Sequence, residues 1–358
     1  SRTFTEPGAA VHIQARRVFR LSATMALSLA CAYGLQAPLP FLAPLFALLL
    51  TSNAAPPLGL KQLTGLVLLT LLTLGTGLLL IPALVEYPLS GVLLVAVGLY
   101  LSAYITVNMG KALIGTFLTA GFTLISAAGT LSSALATTVI QSLALSIVLA
   151  VLCHRVVYPL FPEDAAPPRK PADAARTPGA SNWIALRSTL IVLPAYLVAL
   201  TNPAAYLAII MKAVTLGRQG SFVNARDAGK ELLGSTFLGG CFAALFWVML
   251  DLLTNLWMFF WLMLIFGVYF SSKIYRVYAS RYPASFWINV ATTMLILLGP
   301  AVEDSANGKD VYAAFLVRLG LFVAVTLYAW LAIYFLEWLR ARRVSRKASP
   351  HQRQESPA

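Results

Sequence analysis

Charge is scarce in this sequence. Only 11% of its 358 residues are Asp, Glu, Lys or Arg, less than half the share of an ordinary soluble domain. A soluble fold needs a charged coat, so this scarcity excludes a globular protein in aqueous solution. Acids are scarcer still, 13 against 26 bases, and histidine occurs only at His12, His154 and His351. That spread offers no local metal-ligand spacing and no adjacent nucleophile and base. The three cysteines, Cys31, Cys153 and Cys241, lie inside apolar runs, which argues against a disulfide framework and for buried thiols. Nucleotide fingerprints are also missing. Gly75-Thr-Gly77 lacks the third glycine and acidic partner of a dinucleotide site, and Gly110-Lys111 has Ile105 and Ala112 where a phosphate loop carries Gly and Ser or Thr. The expectation is a protein that is not an enzyme, with no cofactor, no metal and no ATP-driven motor.

What is abundant is apolar surface: 59% of residues are hydrophobic and the mean hydropathy is +0.79. Surface on this scale needs lipid as its partner. Apolar runs read against turns and charges give twelve segments: 18–35, 38–52, 63–82, 87–106, 112–129, 133–158, 183–200, 203–217, 232–252, 256–272, 283–300 and 311–337. The first run follows Arg16, Arg17 and Arg20 like a signal peptide, but it lacks a small-residue cleavage site and reads as a retained helix. The long polar interruption, with prolines 162, 167, 168, 171 and 178, reads as a linker. The predicted architecture is all-α and polytopic. An N-terminal segment (1–17), a six-helix membrane unit (18–160), a linker (161–182), a second six-helix unit (183–338) and a basic tail (339–358) follow in order.

Twelve crossings place 23 of the 26 bases on one side, the N-terminus, linker and basic tail among them. The opposite loops hold Glu86, Asp251, Glu303, Asp304 and Asp310, with Lys309 as their base. The positive-inside rule then makes both termini and the linker cytoplasmic. The net charge of +13 is thereby explained by topology and anionic lipid, without a nucleic-acid partner.

One offset recurs along the chain. A shift of 169 aligns Lys61-Gln-Leu-Thr-Gly65 with Lys230-Glu-Leu-Leu-Gly234, and Gly98-Leu-Tyr-Leu-Ser102 with Gly267-Val-Tyr-Phe-Ser271. A shift of 167 pairs Arg20 with Arg187, and one of 165 pairs Pro38 with Pro203. Two parallel repeats related by a pseudo-two-fold axis along the membrane normal are expected, with any pathway on that axis.

The second segment of each unit is short, about 15 residues or roughly 22 Å of helix, and each opens at a proline, Pro38 or Pro203. Paired short segments point to a transporter site whose helix ends attract an anion, the alternative being a tilted hairpin in thin lipid. Lys212 lies within the second of them, where it faces a cavity or snorkels to the surface. Arg318 is a second intramembrane base, with Asp310 or Glu303 as its alternative partners. Tyr100 with Ser102, and Tyr269 with Ser271, are repeat-related; they line a vestibule or belong to an interfacial belt. Asp251 and then His154 are the candidates for proton coupling. The Trp257, Phe259, Phe260, Trp261 cluster reads as lipid-facing or core.

These features together, a basic start to the first helix, a short proline-opened second helix, K-[QE]-L-x-G opening the third and G-x-Y-x-S in the fourth, resemble the fusaric-acid-resistance and aromatic-acid-exporter superfamily of bacterial inner-membrane proteins. The resemblance spans most of residues 15–340. It implies export of aromatic carboxylates or related toxic compounds, beside a periplasmic adaptor (a membrane fusion protein) and an outer-membrane channel. Many members of that group carry a large cytoplasmic domain that is not found in these 358 residues, which suggests a short branch. Plant organic-anion channels are similar in their six-span unit, so a passive anion channel is the rival, with a non-transporting scaffold as the other.

Overall fold

The computed structural model describes residues 7–53, 55–163, 178–220 and 225–348. Among them there are twelve helices and no strand. They are α1 (Pro7–Gly34), α2 (Leu42–Thr51), α3 (Leu60–Glu86), α4 (Pro88–Asn108), α5 (Ala112–Leu131, with a π-helical turn at Gly121–Ile125), α6 (Ser133–Val157), α7 (Pro178–Thr201), α8 (Pro203–Gly220), α9 (Ala225–Asp251), α10 (Leu256–Ile274), α11 (Ala284–Ala306) and α12 (Val311–Ala348). Nine helices among the described residues are long and apolar enough to cross a membrane, and α2 is a shorter apolar helix. The protein is a multi-pass membrane protein. Leucines such as Leu72, Leu79, Leu89 and Leu93 stand exposed on α3 and α4, as a lipid-facing surface requires.

Local chemistry fixes the helix starts. The Ser132 hydroxyl accepts from the Leu135 N–H at the head of α6, and the Asn255 side chain accepts from the Met258 N–H at the head of α10. Pro88 opens α4, where its missing N–H is no loss. The turn from α4 to α5 passes through Gly110 at φ +64°, a left-handed position that suits glycine. So Gly110-Lys111 is a turn and not a phosphate loop.

Several helices outrun the apolar segments that mark them. The predicted stop at Pro300 fails because an internal proline deletes one hydrogen bond and kinks a helix without ending it; α11 continues to Ala306 and carries Glu303 and Asp304 as helical residues. Likewise α8 runs 18 residues, about 27 Å, because nothing stops the helix before Gly220, so it is longer than the 15 residues expected. Among the described helices only α2, 10 residues and about 15 Å, is short.

Helix packing is reciprocal between the two sets of six. α1 lies on α10 while α7 lies on α4; α2 touches α11 while α8 touches α5. One hydrophobic core runs through both sets, from Met25 and Leu48 to Phe246 and Met294. Lipid tails are as apolar as leucine, so helices in a bilayer are held by close approach and by polar contacts. Gly77 of α3 and Gly121 of α5 supply one such close approach: a Cβ on Gly77 would collide with the Gly121 carbonyl oxygen. Tyr196 of α7 and Ser126 of α5 share a hydrogen bond of 2.9 Å between the two sets.

At the basic end, α1 is tied to the chain just past α6. Arg17 and Arg20 both bind Glu163, and Arg20 also donates to the Phe161 carbonyl. Arg20 is 1% exposed. Burial alone would raise the Glu163 pKa, but the bonds from Arg17 and Arg20 outweigh it and hold the carboxyl below its usual value. The counterpart on α7 is Arg187, whose Nη1 lies 2.9 Å from Glu337 of α12.

Candidate functional site

The starts of α2 and α8 converge on one cavity of about 660 Å³. Leu39, Phe41 and Leu42 line it from the first, Asn202, Tyr206 and Met211 from the second. The far wall comes from the end of α11 (Pro300, Glu303, Asp304) and the start of α12 (Val317, Arg318), with Leu124 of the α5 π-turn and Val139 of α6 closing it. Exposed Asn307 and Lys309 stand at its mouth. The volume suits a drug-sized ligand, and the lining is mostly apolar with a few polar groups at one end.

Those polar groups form a cluster. The Arg318 Nη1 lies 2.6 Å from Asp304 Oδ2, and Lys309 Nζ lies 3.7 Å from the other carboxylate oxygen. Asp304 is 5% exposed. Although Nη1 and Oδ2 are close, their geometry does not make a hydrogen bond, and both atoms are buried without one. Glu303, half-buried beside Asp304, feels the charges of both Asp304 and Arg318.

One residue beyond Met211, Lys212 is wholly buried at 0% exposure. Its ammonium donates to Thr293 Oγ1 at 2.8 Å and to Asn289 Oδ1 at 3.5 Å, both on α11. Asn289 in turn donates to Ser235 of α9. No carboxylate lies within ion-pair distance of Lys212 among the described residues. The residue faces neither the cavity nor the surface, so snorkelling does not describe it. Beyond it, α8 borders a tight cleft of about 20 Å³ lined by Arg218, Thr106, Thr116, Thr119 and Ser188.

The remaining sequence candidates are dispersed. Pro38 is exposed and Pro203 buried, and neither lines the cavity, though their neighbours Leu39 and Asn202 do. The first amides of α2 are already used: Leu42 N–H bonds Leu39 O and Ala43 N–H bonds Pro40 O, both at 3.2 Å, and Pro44 has none. Thus α2 brings shape to the site and no free donor. Ser102 is buried in an α4–α5 contact with Thr119 at 2.8 Å, and Tyr100 on the same helix is half-buried. Ser271 is buried, while Tyr269 is 41% exposed among Phe242, Phe270 and Trp287. None of these four lines the cavity. Phe259 is core and Trp257 exposed.

Neither proton-coupling candidate is at the cavity. Asp251 sits exposed at the end of α9, accepting from the Tyr312 hydroxyl at 3.4 Å. His154, 5% exposed, lies at the basic end beside a separate cavity of about 320 Å³ lined also by Thr51, Asn53 and Gln62. Asp304, Tyr206 and the Lys212 acceptors Asn289 and Thr293 are the residues that sequence reasoning missed. The spacing of Asn289 and Thr293, four apart on one helix face, was the available signal.

Residues 17–157, which hold most of α1 and all of α2 to α6, match a family described as a protein of unknown function (DUF2955). No curated protein and no solved structure matches the chain.

Proposed function

We propose that the protein is a transporter that exports organic anions, aromatic carboxylates among them, across a bacterial inner membrane. In this reading the two sets of six helices are parallel repeats spanning twelve times, with both termini and the linker cytoplasmic. The reciprocal packing of α1 on α10 and α7 on α4 supports the duplication. The observation that carries the functional reading is the cavity itself: apolar walls with Phe41 and Tyr206 suit a ring, and Arg318 at the wall suits a carboxylate. Lys212 lies behind it as a buried basic side chain whose acceptors among the described residues are a hydroxyl and an amide oxygen. An ammonium held in the bilayer without a carboxylate is a functional marker by default.

Positive-inside orientation turns the cavity outward, toward the periplasm, where an adaptor and outer-membrane channel would receive the product. The sealed stretch around Lys212 and the tight Arg218 cleft separate the cavity from the cytoplasmic end, which favours a carrier that alternates over an open pore. Export draws on the proton gradient or on the membrane potential, which drives an anion outward when the inside is negative.

The test is flux of labelled benzoate in proteoliposomes of the purified chain, with and without an imposed pH gradient or potential. Saturable, gradient-dependent flux is the expected result. Flux indifferent to both gradients would favour a channel, and no flux of any aromatic carboxylate would overturn the reading.

A further inference from the structure

We propose that Asp304 is a built-in stand-in for the transported carboxylate, occupying Arg318 while the cavity is empty and moving to Lys309 when an organic anion takes its place. The proposal rests on the anion-transport reading and names the binding event within it.

Three observations carry it. First, Arg318 lines the cavity with a side chain still 20% exposed, so an incoming ligand can reach it. Second, its contact with Asp304 is close but is not aligned as a hydrogen bond, and the Arg318 Nη1 has no hydrogen-bond partner among the described residues. A guanidinium has five donors in a rigid fork that matches a carboxylate in two parallel bonds. A free carboxylate that can orient itself therefore satisfies Arg318 better than Asp304 does from its fixed place on α11. Third, Asp304 has a second cation in waiting. Lys309 Nζ is 3.7 Å from Oδ1, on a flexible and 68% exposed side chain.

Exchange thus conserves charge pairing. Before binding, Arg318 holds Asp304 and Lys309 hovers; afterwards Arg318 holds the substrate and Lys309 holds Asp304. No bond to hydrogen is made or broken in this step. Without such a partner, a vacated and buried carboxylate would be strongly unfavourable. Glu303, next in the chain and half-buried in the cavity lining, when ionised adds negative charge that disfavours any anion unable to form the two-bond fork, which selects carboxylates over halides. In the empty protein, Asp304 keeps chloride off Arg318.

Calorimetric titration of benzoate into the full chain in detergent, at fixed pH, tests the exchange. In Asp304→Asn the competitor is gone, so benzoate should bind at least tenfold more tightly than in wild type. In Arg318→Gln binding should be lost. Lys309→Gln changes a surface residue and leaves the fold intact; it should weaken binding severalfold in the wild-type background and have no effect when combined with Asp304→Asn. Benzoate binding that is weakened by Asp304→Asn, or unchanged by Arg318→Gln or Lys309→Gln, would overturn the exchange while leaving anion transport standing. If neither wild type nor Asp304→Asn, both shown folded by their melting transitions, binds any aromatic carboxylate, the transport reading and the exchange fall together.

Discussion

Lys212 and Thr293 meet inside the bundle, ammonium to hydroxyl at 2.8 Å, with Lys212 0% exposed. A fold does not need this arrangement. A buried charge without an ionic partner is paid for elsewhere, and an apolar side chain of similar volume would fit at lower cost. Lys212→Met should therefore leave the melting temperature of the detergent-solubilised protein unchanged or raised, while abolishing gradient-dependent benzoate flux. A variant that loses both stability and flux would make Lys212 a packing residue.

Thr293→Val, by contrast, keeps the charge and removes its best acceptor. Hydrogen bonds to charged groups contribute about 2 kcal/mol, and losing one in a buried site leaves the donor unsatisfied. Thermal unfolding should show a loss of that order. The loss should be largely absent when Thr293→Val is made in the Lys212→Met background, because the donor is then gone.

Close approach at Gly77 and Gly121 gives a purely steric prediction. The added methyl of Gly77→Ala would strike the Gly121 carbonyl and the Ile125 Cβ, forcing α3 away from the π-turn that supplies Leu124 to the cavity wall. Overpacking of this kind costs about 1–3 kcal/mol. Gly75→Ala, whose Cβ would meet nothing within 4 Å, should be neutral in the same unfolding assay.

The helices were legible in the sequence because lipid leaves few options: an apolar run of about 20 residues is a helix or nothing. Their ends were less so. Pro300 reads as a terminator in one dimension, yet in three it sits inside α11, and that misplacement hid Asp304 in an expected loop. Lys212 and Arg318 stood out at once as charges in apolar runs, but their partners did not. Thr293, Asn289 and Asp304 lie 81, 77 and 14 positions from the bases they meet, and no local pattern encodes such pairings. Asp251 and His154 were chosen for titrating near the membrane, and neither side chain lines the cavity.

Glu163 supplies a pH dependence that belongs to the fold. Its pKa is held below the ordinary glutamate value by Arg17 and Arg20, so the folded protein binds the proton less readily than the unfolded chain does. The stabilisation is complete above the unfolded value of about 4.3 and is lost as pH falls through the lower folded value. Protonation there would leave Arg20, 1% exposed, without a charged partner, held by the Phe161 carbonyl and the face of the Tyr158 ring. Glu163→Gln imposes the same loss at neutral pH, and removing the carboxylate from a buried guanidinium costs about 3 kcal/mol. The melting temperature of the variant should be lowered at pH 7, and its difference from wild type should shrink as pH is taken below 4. A constant difference across that range would mean that the carboxylate contributes by shape and not by charge.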